Sequence, residues 1–233
     1  MLVVGFPTGS FQANCFVLAP QPGGPCVVVD PGEGAQQPLE ELLRHHRLEP
    51  VAVLLTHGHF DHICAVTPVC DGNDIPAWIH PEDRVLLSDP LRALAADARE
   101  FLGGLFGGRV VLREPREVRA LADGTSLELA GLILTVDHTP GHTAGSVTFR
   151  SITDEGQRLL VSGDTLFAGS IGRTDLPGGD HQQMLASLRD KILVLDDDTT
   201  VLPGHGLSTT IGRERASNPF LYGLATPGRR RGL

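Results

Sequence analysis

Lysine is all but missing from this chain: of 19 basic residues only Lys191 is a lysine, and the formal net charge is −9. Such a surface lacks the broad basic field that a phosphate backbone requires, so nucleic acid is excluded as an expected partner. No apolar run approaches the roughly 18 residues of a membrane span. The opening MLVVGFPTGS has neither the basic head nor the extended apolar stretch of an export signal. The expectations are a cytoplasmic location and no membrane partner. Cys15, Cys26, Cys64 and Cys70 show no C-x-x-C spacing, and they read as reduced, buried thiols rather than a redox pair. No linker or low-complexity segment divides the 233 residues, a length that one α/β domain can hold. Residues 1–225 are therefore taken as one domain. Residues 226–233, with Arg229-Arg230-Arg231, are taken as a frayed basic tail.

What is present is alternation of short strands and helices. Strands are expected at Leu2–Phe6, Asn14–Leu18, Cys26–Asp30 and Val51–Leu55, and a helix at Gln36–His46, where Leu39, Leu42 and Leu43 recur at helical spacing. Pro81–Ser88 and Leu91–Phe101 read as helical. A second group of strands follows at Ser126–Leu129, Leu132–Val136, Ser146–Arg150 and Leu159–Ser162, then a helix near His181–Arg189 and a strand at Thr200–Leu202. Helices after groups of strands in both halves imply an α/β architecture of two packed sheets with helices outside, an αββα sandwich.

The chemistry concentrates in Thr56-His57-Gly58-His59-Phe60-Asp61-His62, directly after the apolar run Val51–Leu55. Two residues apart in extended backbone, His57 and His59 project to one side, and Asp61 and His62 fall where the chain turns into a helix. Four such donors can serve two metals, and imidazole nitrogen favours zinc, iron or manganese over calcium or magnesium. Thr139-Pro140-Gly141-His142-Thr143, Ser162-Gly163-Asp164-Thr165 and Leu202-Pro203-Gly204-His205-Gly206 each place one more ligand-type residue in a turn after an expected strand. Loops at strand ends are where α/β proteins build sites. His138 reads as a hydrogen-bonded structural residue. His45, His46, His80 and His181 read as helix or turn residues, with His80-Pro81 opening a helix.

Taken in order, THGHFDH, TPGHTAGS, SGDTLFAGSIGRTD and LPGHG resemble the metallo-β-lactamase fold superfamily, and within it the glyoxalase II branch, the hydroxyacylglutathione hydrolases. The resemblance implies a four-layer αββα fold with two mixed sheets. It also implies one metal held by His57, His59 and His142, a second held by Asp61, His62 and His205, and Asp164 bridging both. Two divalent ions are the implied cofactor, zinc first, with iron or manganese as substitutes. Against two such ions the carboxylates of Asp61 and Asp164 leave a net positive charge that can hold a bridging hydroxide as nucleophile.

The implied reaction is hydrolysis of a small thioester, S-2-hydroxyacyl-thiol to hydroxy acid plus thiol. The β-lactamases proper usually carry a cysteine in the second site, so antibiotic hydrolysis is disfavoured. Only residues 206–233 follow His205, where typical members supply basic and tyrosine contacts to glutathione, so the thiol carrier stays open. Gly169-Ser170-Ile171-Gly172-Arg173-Thr174-Asp175 is also similar to a segment of persulfide dioxygenases, in which positions matching His57, His142 and Asp164 hold a single Fe(II). That oxidoreductase is the alternative, and a lactonase of the same superfamily a second. Arg173 is the candidate for orienting an anionic substrate.

Overall fold

The structure is a computed structural model, and it describes residues 1–94 and 112–224. The later part of the helix expected over Leu91–Phe101, and the basic tail at 226–233, lie outside the described residues. The first sheet takes its strands in sequence order: β1 (Leu2–Thr8), β2 (Ala13–Ala19), β3 (Gly24–Val29), β4 (Leu48–Leu54), β5 (Ala77–Ile79) and β6 (Val118–Ala120). The hairpin β1–β2–β3 is antiparallel, and β3 through β6 run parallel. Helix Gln36–His46 makes the crossover between β3 and β4, as parallel neighbours require.

The second sheet contains β7 (Ser126–Leu129), β8 (Leu132–His138), β9 (Val147–Ile152), β10 (Arg158–Gly163), β13 (Thr200–Pro203) and β14 (Thr209–Thr210). A short ribbon, β11 (Leu166–Phe167) with β12 (Ser170–Ile171), stands apart from it. Its strands pair antiparallel except β10 with β13, which run parallel through the helix His181–Ser187 and the π-turn Leu188–Ile192. Both sheets are thus mixed, and the α/β sandwich expected from the strand groups is the observed fold.

Side-chain alternation shows the layers directly. On β2, Phe16 and Leu18 point into the space between the sheets, against Leu134, Val136, Phe149 and Leu202. Their neighbours Cys15, Val17 and Ala19 face outward onto Leu39 and Leu43 of the first helix and onto Val66 and Val69. On the second sheet, Val161 faces the inter-sheet core while Leu160 and Val201 pack against Met184, Leu188 and Ile192. Because these strands are covered on both faces they read as continuous apolar runs, with little polar alternation to mark their ends. Leu39, almost fully buried, would cost roughly 2–5 kcal/mol on truncation to alanine.

Several element boundaries differ from expectation. The segment Pro81–Leu87 is a 3-10 turn rather than an α-helix, as is Pro90–Ala93. The expected helix His181–Arg189 is α-helical only to Ser187 and then widens into the π-turn. β8 runs two residues past Val136, carrying His138 into the sheet. All four cysteines are free, three of them buried and Cys64 partly so. No helix among the described residues is long and apolar enough to cross a membrane.

Candidate metal centre

Four loops at strand ends converge on one edge of the sandwich. The first follows β4: the backbone of His59 is extended, and His59 stands at the N-cap position of the single helical turn Phe60–Ile63. The rings of His57 and His59 lie 4.8 Å apart at 86°. The second follows β8 and carries His142, the third follows β10 and carries Asp164, and the fourth follows β13 and carries His205. At Gly204 the backbone comes so close that a Cβ would collide with Asp164 Oδ1 and stand 2.9 Å from His62 Cε1. Only glycine lets β13 deliver His205 to this point.

Three groups of donor atoms lie within 4.8 Å of one another: His57 with His59 and His142, Asp61 with His62 and His205, and Asp30 with His57 and His62; the first two are the trios that the sequence motifs supply. His59 Nδ1 is 2.7 Å from His142 Nε2, and His62 Nε2 is 3.3 Å from His205 Nε2. Asp164 faces both trios, with Oδ2 at 3.4 Å from His142 Nε2 and 3.6 Å from His205 Nε2, and Oδ1 at 3.5 Å from His62 Nε2. The structure therefore gathers all seven residues singled out in the sequence.

The outer hydrogen bonds fix the tautomers. A carbonyl can only accept, so His142 donates its Nδ1 proton to the Arg173 carbonyl at 2.8 Å, and His205 donates its own to the Phe11 carbonyl at 3.1 Å. His62 Nδ1 lies 3.0 Å from Asp30 Oδ2 and donates there. Thr56 gives its hydroxyl proton to Asp30 at 2.5 Å, which leaves Oγ1 to accept from His57 Nδ1 at 3.0 Å. In each ring Nε2 is left pointing inward, and Nε2 of His57 and Oδ1 of Asp164 are buried with no partner. Imidazole nitrogens and carboxylates converging in a buried space are the donors a cation would satisfy. This donor set fits divalent metal ions.

The titration behaviour reports the same field. Burial, reinforced by the neighbouring imidazoles, lowers His57 and His59 well below the ordinary histidine range. For His62 burial works downward too, but the charges of Asp164, Asp61 and Asp30 overcome it and push the ring up to about 10. Asp61 is likewise raised by burial, but His62 and His205 outweigh this and hold it well below the usual carboxylate range. Positive charge is favoured where the carboxylates meet.

Residues 8–205 match the metallo-beta-lactamase superfamily. The chain belongs to that superfamily. Rv2581c of Mycobacterium tuberculosis is 50% identical over 97% of this chain and the whole of that protein. Hydroxyacylglutathione hydrolase GloC of Haemophilus influenzae is 35% identical over 92% of this chain and 95% of its own. Among solved structures, the BLEG-1 B3 metallo-beta-lactamase is 41% identical with a TM-score of 0.82, and TTHA1623 in a di-iron-bound form is 37% identical with a TM-score of 0.75. Each covers 95% of this chain and all of its own. Metallo-beta-lactamase superfamily relatives of comparable similarity thus include both a lactamase and a hydroxyacylglutathione hydrolase.

Other sequence-derived candidates fall outside the two trios. The Arg173 guanidinium is exposed and held bidentate by Asp175, both bonds 2.8 Å, while its backbone carbonyl orients His142. His138 Nε2 donates to the Ala144 carbonyl at 2.9 Å, as a structural histidine should, and its ring stacks on His80. Sequence reading missed Asp30, Thr56 and Asp83. Asp30 carried a signal, since Val27-Val28-Val29-Asp30-Pro31-Gly32 repeats the pattern of an apolar strand, a ligand-type residue and a glycine turn. It adopts a left-handed backbone, φ 50°, and accepts from Thr56 N at 2.8 Å as well as from Thr56 Oγ1 and His62.

Proposed function

We propose that the chain is a metal-dependent hydrolase of small thioesters, using one divalent ion at His57, His59 and His142, a second at Asp61, His62 and His205, and Asp164 between them. The observation that carries this reading is the position of Asp164, whose carboxylate lies within 3.4–3.6 Å of histidine nitrogens in both trios. Bound there, two divalent ions supply a water whose pKa falls from about 16 toward about 7 and Lewis-acid polarisation of a carbonyl. Zinc is the first candidate on donor chemistry, and iron or manganese suit the same ligands.

The chain's own residues provide the rest. His57, His59, His62 and His142 are buried, whereas His205 and Asp61 remain 29% and 19% exposed. The thioester carbonyl therefore approaches over His205 and Asp61, with the buried histidines forming the floor. The Arg173 guanidinium is an exposed cation beside the His142 loop, so an anionic acyl or carrier group would be drawn toward that side. Arg173 and Asp175 are both exposed, so freeing the guanidinium for substrate contact costs little. Water adds across the C–S bond to give acid and thiol, with no oxidant consumed.

A substrate panel tests the proposal on metal-replete protein: S-lactoylglutathione, the same acyl group on another small thiol, a lactone, a β-lactam, and glutathione persulfide with oxygen uptake recorded. Thioester cleavage ahead of the other substrates is expected. Oxygen consumption with the persulfide and no thioester cleavage would identify an iron dioxygenase instead, and preferential β-lactam or lactone opening would reassign the acyl carrier.

A further inference from the structure

Among the described residues outside the seven candidate ligands, one buried carboxylate joins the two loops that carry His57, His59 and His142. Asp83, 2% exposed, sits in the 3-10 turn Pro81–Leu87. Its Oδ2 accepts from Gly58 N at 2.8 Å and from Thr143 Oγ1 at 2.7 Å, and its Oδ1 accepts from Gly145 N at 2.8 Å. Gly58 lies between His57 and His59 on the loop from the first sheet, and Thr143 follows His142 on the loop from the second. The trio His57, His59 and His142 is assembled from these two loops, and Asp83 holds both.

Two further contacts show that this clamp is built to close tolerance. A Cβ on Gly145 would press against the Asp83 carboxylate, and one on Gly58 would meet the Asp83 carbonyl at 3.0 Å. Beside it, the His80 ring stacks on His138 at 4.1 Å and 9°, joining the same turn to the strand that leads into the His142 loop. Burying a carboxylate is costly unless its oxygens are satisfied. Here three donors, two of them backbone N–H groups on ligand-bearing loops, provide that compensation.

We propose that Asp83 is a positioning residue that fixes the distance between the His57–His59 loop and the His142 loop, and so sets the affinity of the first metal position selectively. This rests on the two-metal reading above. Asp83→Asn keeps the volume but presents an amide NH2 to a donor, so at least one of the three bonds is lost. Outer-shell substitutions of this kind typically cost about 10–100-fold in metal affinity.

The test compares zinc affinities by chelator competition, and anomalous diffraction at the metal edge, for wild type, Asp83→Asn, Thr143→Val and Glu214→Gln. Glu214 is a matched control: equally buried, it accepts from Gly169 N, Thr209 Oγ1 and Asn218 Nδ2, none of which adjoins a candidate ligand in sequence. Expected is a loss of tenfold or more at the His57, His59 and His142 position in Asp83→Asn, with the Asp61, His62 and His205 position retained. Thr143→Val, which removes one of the three bonds to Asp83 together with the contact to Ser146 Oγ, should show a smaller loss at the same position, and it keeps the test available if Asp83→Asn does not fold. Glu214→Gln should lose thermal stability with both affinities unchanged. Equal affinities in wild type and both loop variants, or an equal loss at both positions tracking thermal stability as in Glu214→Gln, would overturn the assignment. Wild-type protein that binds no metal would instead overturn the two-metal reading itself.

Discussion

Nδ1 of His62 lies 3.0 Å from Oδ2 of Asp30, with both side chains almost wholly shielded from water. The pairing turns Nε2 of His62 toward Asp61, Asp164 and His205, and it ties the end of β3 to the loop after β4. Asp30→Asn should lower affinity at the second metal position about 10–100-fold. The first position should change less, since the variant reaches it only through Thr56 and His57. Isothermal titration of the metal-free variant checks this, and unchanged affinity would remove Asp30 from the centre. Asp30→Ala should in addition cost about 1–3 kcal/mol of stability, because buried donors on Thr56 and His62 are left without partners.

Asp164 faces both trios while Asp61 belongs to one. Asp164→Ala should therefore lower total metal content and activity more than Asp61→Ala does. Metal analysis of the two purified variants, alongside turnover at matched protein concentration, decides the ranking. A fully loaded, fully active Asp164→Ala protein would place that carboxylate outside the chemistry.

Gly204→Ala changes no ligand, yet its methyl group would enter the space occupied by Asp164 Oδ1. It should reduce metal content while leaving the far-ultraviolet circular dichroism of the sheets intact. Normal loading would mean that β13 can shift to make room.

Much of this arrangement was legible in the sequence, because each ligand-bearing turn follows an apolar run and contains glycine. THGHFDH carried four donors in seven residues, and the three later turns carried one each. The short strands β5, β6, β11, β12 and β14 were not legible: two or three residues long, they are set by tertiary pairing, and alternation cannot show at that length. The turn Pro81–Leu87 has the composition of a helix, and the difference lies in tertiary contacts. Asp83 within it lies 25 residues or more in sequence from every donor it binds, so no local motif marks it. Asp30 lacked only a partner motif to draw attention to it.

The thiols give a prediction at alkaline pH. Burial pushes Cys26 up to about 12, and burial with the charge of Asp71 does the same for Cys70, from an ordinary value of 9.0. The folded chain then holds protons that the unfolded chain releases. Their stabilising contribution is complete below about pH 9 and is lost as pH climbs from there toward 12. Native protein at pH 8 should react slowly with a thiol reagent at Cys15, Cys26 and Cys70, and rapidly in urea. Urea midpoints should fall less steeply above pH 9 in Cys26→Ala than in wild type. Immediate labelling of three or more thiols in the native state would contradict the burial.

The central claim is that two ions sit at this edge of the sandwich, and metal counting on protein purified without added metal, followed by anomalous diffraction, tests it most directly. The account predicts about two divalent ions per chain, one within bonding distance of His57, His59 and His142, the other of Asp61, His62 and His205, with Asp164 touching both. A single iron on His57, His142 and Asp164, with Asp61, His62 and His205 free of metal, would contradict it.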